Sequence, residues 1–102
     1  MSNEINYRVD SVVMRRSESN PREWVTAAIQ FRELWESEAD ARESLEESRK
    51  MCRDTFMSLA GEGFAHDRGY GAELYAVLPD GSESLLGCVQ FTADDWAAEQ
   101  HG

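Results

Sequence analysis

The hydrophobic period of the chain changes at Ser37, and that change restricts it to folds that combine strands with one long helix. Over residues 5–16, Ile5, Tyr7, Val9, Ser11 and Val13 alternate with Asn6, Arg8, Asp10, Val12 and Met14, the two-residue repeat of a half-buried strand. Ser17-Glu18-Ser19-Asn20-Pro21 is turn chemistry, because a residue before proline is disfavoured in helix. Val25, Ala27, Ile29 and Phe31 then alternate with Trp24, Thr26, Ala28 and Gln30, which predicts a second strand over about 23–34, hairpinned to the first. A helix starting at Pro21 is the competing assignment, since proline suits the first helical position. From Ser37 onward Ala41, Leu45, Ser48, Cys52, Phe56 and Leu59 recur every three or four residues, one stripe of a helix. Ser37 with Asp40 reads as its N-cap and Gly61 as its C-cap.

Residues 61–72, GEGFAHDRGYGA, hold four glycines and read as a loop. Glu73–Leu78 and Glu83–Phe91 read as two strands joined by Pro79-Asp80-Gly81-Ser82, a turn in which proline fixes φ and glycine accepts φ > 0. Thr92 with Asp95 can cap a short terminal helix carrying Trp96. The expected fold is α+β in one domain: an antiparallel four-stranded sheet in the order β-β-α-β-β, one long helix packed on one face, and a short C-terminal helix. If Ile5, Tyr7, Val9, Val13, Val25, Ala27, Ile29, Phe31, Leu74, Leu85, Val89 and Phe91 face that helix, seven apolar residues are left on the other side. These are Val12, Met14, Trp24, Tyr75, Val77, Leu86 and Cys88. They would form a contact surface, covered by the terminal helix or by a second subunit.

Charge narrows function further. The chain of 102 residues carries 20 acids and 10 bases, a net charge of −10, which argues against direct binding to nucleic acid or an anionic membrane. The acids are clustered. Residues 33–47 hold seven acids and one base, and 69–102 hold six acids and no base, whereas 1–32 and 48–68 are each close to neutral. No run of apolar residues approaches the roughly 20 needed to span a membrane, and two cysteines make no disulfide framework, so a cytoplasmic setting is expected. Cys52, His66, Cys88 and His101 lack the paired spacing of a zinc site, and no calcium-loop pattern is present. Neither a metal nor a cofactor is expected. His66 beside Asp67 has no nucleophile in short sequence reach, so the 61–72 segment is read as a recognition loop or a plain connector.

The helix places Glu36, Asp40, Glu43 and Glu47 on the side away from Leu45 and Cys52. Such a stripe is commonly a solvated face; the alternative is a docking stripe for a basic partner. Its four carboxylates span about 16 Å of helix, one per ~5 Å, against one phosphate per ~3.4 Å in a DNA strand. Trp35, Tyr70 and Trp96 are aromatic candidates for interface anchors beside these acids, and Asp94 and Asp95 extend the acidic surface from the second block. By composition alone, with no residue motif behind it, the chain is similar to small acidic accessory proteins of phages and mobile elements. The expectation is a non-enzymatic inhibitor, DNA-mimic-like in the manner of anti-CRISPR proteins, that occupies the basic nucleic-acid-binding groove of a protein partner. The alternative is an assembly protein that dimerises through its open sheet face.

Overall fold

The computed structural model describes residues 5–59 and 68–101. The elements are β1 (Asn6–Arg16), β2 (Trp24–Trp35), α1 (Glu38–Leu59), β3 (Arg68–Val77), β4 (Glu83–Thr92) and α2 (Ala93–His101). All neighbouring strands pair antiparallel in the order β2-β1-β3-β4, so the α+β fold agrees with the sequence pattern. Since β2 and β3 run in the same direction with β1 between them, their connection must cross the sheet, and a helix is the usual way to do so.

Local chemistry sets the boundaries. Asp40 N–H donates to Ser37 Oγ at 3.4 Å and Ala41 N–H to Ser37 O at 3.0 Å, so Ser37 caps α1 as expected. Gly81 has φ of 89° in the β3–β4 turn, where Asp80 Oδ1 accepts from Ser82 N–H at 2.9 Å. At the start of α2, Thr92 N–H donates to Asp95 Oδ2 at 2.8 Å and Asp95 N–H returns to Thr92 Oγ1 at 3.5 Å, a reciprocal cap.

One face of the sheet packs on α1 in two clusters. Val9, Ala41, Leu45, Ala72, Leu74 and Val89 form the first, with Tyr7, Trp35 and Leu86 against it. Cys52, Phe56, Tyr70, Phe91 and Ala93 form the second, joined by Val13, Trp24, Leu59 and Trp96. Phe56 and Phe91 meet edge to face at 5.3 Å, and α2 is tied to α1 by Arg53 Nη2 on Glu99 Oε1 at 2.7 Å. Burying a side chain such as Leu74 stabilises the fold by roughly 1.5–3 kcal/mol.

Two sequence expectations are corrected. The segment 61–72 is not loop throughout: residues 68–72 are the start of β3, while 61–67, including Gly61 and His66, lie outside the described residues. The glycines belong to the strand for steric reasons. A Cβ on Gly71 would stand 3.0 Å from Val89 O and 3.1 Å from Met14 Sδ.

The second correction concerns which residues share a face. Register shifts lie between Ser11 and Val12, between Val13 and Met14, and between Leu74 and Tyr75, and each inserted residue flips the alternation beyond it. Ile29 therefore stands opposite Val12 and Leu85 opposite Tyr75, away from α1. Leu86 and Trp24 pack into the core clusters instead of being left over.

The face away from α1 keeps Val12, Met14 and Tyr75 of the expected apolar set and adds the exposed Ile29 and Leu85, but it also carries a charged network. Asp10, 2% exposed, accepts from Arg8 Nε at 2.9 Å and lies 3.4 Å from Arg32 Nε. Arg8 also forks onto Glu83, with Nη2 to Oε2 at 2.8 Å, and its guanidinium sits 4.9 Å above the Tyr75 ring. Tyr75 O–H in turn donates to Glu73 at 3.0 Å. Burial, with Glu73 beside it, raises the Tyr75 hydroxyl above its ordinary value.

Candidate functional site: the acidic flank of the long helix

The expected site residues separate into two groups. Asp94, Asp95, Trp96 and Tyr70 are taken up by the fold. Asp94 accepts from Arg16 Nη2 and from Trp24 Nε1, both at 3.0 Å, and those donors hold its carboxyl below the usual range. Asp95 is committed to the α2 cap. Trp96 lies against Phe56, ring centroids 6.4 Å apart. Tyr70 is 6% exposed in the second core cluster instead of standing at an edge, because residue 70 belongs to β3 and its side of the strand faces α1.

Glu36, Asp40, Glu43, Glu47 and Trp35 do come together. Trp35 ends β2 opposite Tyr7, Glu36 lies in the link to α1, and the other three acids climb α1 turn by turn. The stripe is not out in open solvent alone: Asp40, Glu43, Ser44 and Glu47 line a cleft of about 250 Å³ with Trp35 as its far wall. On its other side Trp35 borders a hollow of about 350 Å³ with Asn6, Leu34, Glu36 and Val77. The Trp35 indole Nε1 is buried with no hydrogen-bond acceptor among the described residues, a donor whose desolvation is uncompensated.

The stripe also lacks internal partners. Within residues 33–47, Glu38 pairs with Arg42 and Glu46 with Arg49. Among the described residues no ion pair or hydrogen bond neutralises the side chains of Glu33, Glu36, Asp40, Glu43 or Glu47. Glu33 is the acid that the sequence reading missed. It stands opposite Val9, a core residue on the α1 side, and opposite residues of an antiparallel pair share a face. The signal was present in its spacing of two from both Phe31 and Trp35. Like charges three and four residues apart destabilise a helix by about 0.2–0.5 kcal/mol per pair, so this arrangement carries a standing cost.

Further along α1, a smaller gap of about 100 Å³ opens between α1 and β1 and is bordered by Gln30, Ser48, Met51 and Thr55. Burial pushes the Cys52 thiol that reaches it up to about 11, so it is a protonated, weakly reactive sulfur at neutral pH. Among the described residues no three His, Cys, Asp or Glu side chains are grouped to hold a metal ion, and no described helix is long and apolar enough to cross a membrane. Compared with known proteins, the chain matches no family model, no curated protein and no solved structure.

Proposed function

We propose that this is a non-enzymatic binding protein that docks through the acidic flank of α1 on a basic protein partner, covering the partner's nucleic-acid-binding groove. The single observation that carries this reading is the set of unneutralised carboxylates around Trp35, set against a second acidic block in which every carboxylate has an internal hydrogen-bond donor. A helix presents Asp40, Glu43 and Glu47 in fixed positions, which lowers the ordering cost of meeting a charged surface. Glu33, on β2, adds a fifth carboxylate beside the three on α1 and Glu36 in the link before it. An inhibitor of the DNA-mimic kind, acting in the cytoplasm where such partners work, fits this surface.

The test uses a purified nucleic-acid-handling protein recovered with the chain from its native cytoplasm. Replacing Glu36, Asp40, Glu43 and Glu47 together by Gln should lower affinity by well over tenfold at ~50 mM salt, mainly through slower association. Short duplex DNA or RNA should compete with the parent protein for the same partner. Equal affinity of parent and variant, or simultaneous binding of nucleic acid and the parent, would overturn the reading.

A further inference from the structure

A four-stranded sheet is about 19 Å wide at ~4.8 Å per strand, and one helix with its side chains covers about 10 Å of it. Here α1 lies over β3 and β4, touches β1 less and β2 least, so among the described residues the β1–β2 half of that face has no second helix. The uncovered strip is not uniform. One end holds Trp35, Glu33 and the Asp40–Glu43–Glu47 wall. The other holds Phe31 and Met51, 56% and 65% exposed. Phe31 stands opposite Ser11 in the ladder, and Ser11 and Met51 border the same gap beside α1.

We infer that this vacant half-layer is the seat of an amphipathic helix from the partner, with Lys or Arg over the Trp35 end and large apolar side chains over the Phe31–Met51 end. The inference deepens the proposed function and rests on it. Several features favour a helix from a foreign protein. The two register shifts between β1 and β2 break the regularity of the edge strand, a known way to discourage strand addition. A helix of ~10 Å width fills the missing half-layer. A second copy of this chain would bring a net charge of −10 to an acidic groove.

The experiment titrates the whole chain with synthetic helical peptides of about 18 residues and reads binding by calorimetry and backbone amide shifts. One peptide segregates Lys to one half and Leu to the other half of a single face; the control has the same composition interleaved around the helix. The segregated peptide should bind at least tenfold more tightly, with shifts at Phe31, Met51 and Glu43. Phe31→Ser with Met51→Ser should remove that preference while leaving the melting temperature unchanged, since both side chains are exposed. Equal binding of the two peptides would overturn the inference. So would a chain that sediments as a dimer and becomes monomeric in the Phe31→Ser/Met51→Ser variant, because a second copy would then be the occupant. With the purified partner, loss of affinity in the four-Gln variant but not in the Phe31→Ser/Met51→Ser variant would remove the docking helix and leave the charge-based reading standing. No loss in either variant would remove both.

Discussion

Each of the six carboxylates after Gly69 has an internal partner, whereas of the seven in residues 33–47 only Glu38 and Glu46 have one among the described residues. The first set reaches far along the chain. Glu83 meets Arg8, Asp94 meets Arg16 and Glu99 meets Arg53, so bases from the near-neutral stretches neutralise half of the acids in the base-free C-terminal third. The Glu38 and Glu46 pairs are local turns of one helix, and among the described residues no long-range base reaches the acids beside them. A local excess of charge in a sequence is therefore a poor guide to an excess in space. What distinguishes a structural acid from an available one is whether the fold delivers a donor to it, a guanidinium for Glu83, Asp94 and Glu99 and a neutral N–H or O–H for Glu73, Asp80 and Asp95.

The contrast can be broken most strongly at Arg8. Arg8→Ala removes a partner from Asp10 and Glu83 and should cost about 2–4 kcal/mol, with Arg32 only partly compensating. Urea unfolding would show it as a lower midpoint at unchanged slope, and a loss under ~0.5 kcal/mol would mean that the network is incidental. Binding to the partner should be unaffected, since Arg8 lies on the sheet face away from α1.

Acid titration should discriminate the blocks next. Hydrogen bonds from Arg8, Arg16 and Arg53 hold Glu83, Asp94 and Glu99 below their ordinary values. A carboxylate whose folded-state value is depressed contributes fully above its unfolded value, about 4 for Asp and Glu. It loses that contribution as pH falls through the lower folded value. The melting temperature should thus be flat from pH 7 to 5 and fall below about pH 4, and Arg8→Ala should make that fall shallower.

A smaller effect is expected at the α2 cap. Asp95→Ala should cost about 1 kcal/mol, within the range for lost caps, and should lower the helical circular-dichroism signal. An unchanged unfolding midpoint would show that Trp96 packing alone holds α2.

The smallest change has the opposite sign and sharpens the comparison most. Glu43→Gln with Glu47→Gln relieves like-charge repulsion and should raise stability by a few tenths of a kcal/mol, about 1–3 °C in melting temperature for a domain of this size. The same pair should weaken partner binding. A stabilised protein that binds less well is the expected signature of acids kept for contact. A destabilised one would place Glu43 and Glu47 among the structural acids.

Period and caps made much of the fold legible. The change at Ser37, the Ser37 and Thr92 caps and the Pro79–Ser82 turn each act over a few residues, so neighbouring sequence contains the information. Register shifts do not work that way: nothing near Gln30 or Leu86 in sequence marks them as inserted residues, and with them the faces of Ile29 and Leu85 were misassigned. The glycines at 69 and 71 suggested a loop because their role, close approach to Thr92, Val89 and Met14, depends on strands distant in the chain. At the site, Asp40, Glu43 and Glu47 were readable from helical spacing, whereas Glu36 was wrongly placed on the helix, which starts only after the Ser37 cap. The internal use of Asp94, Asp95 and Trp96 was not, because Arg16, Trp24 and Phe56 are far from them in sequence.

The placement of β1 at the centre of the sheet has a consequence for how the chain emerges and folds. Its first neighbour, β2, follows almost at once, but its second, β3, is not made until residues 68–77. Contacts that distant are slow to close. Until then one whole edge of β1, including Val9 and Val12, stays open to any passing strand. Asp10 and Arg8, which later lock against Glu83 and Arg32, place charges in the middle of that edge during the interval, the kind of residue that deters unwanted pairing. The β2–α1 region that carries the acidic flank is local in sequence and can assemble within the same interval, before the sheet behind it is complete.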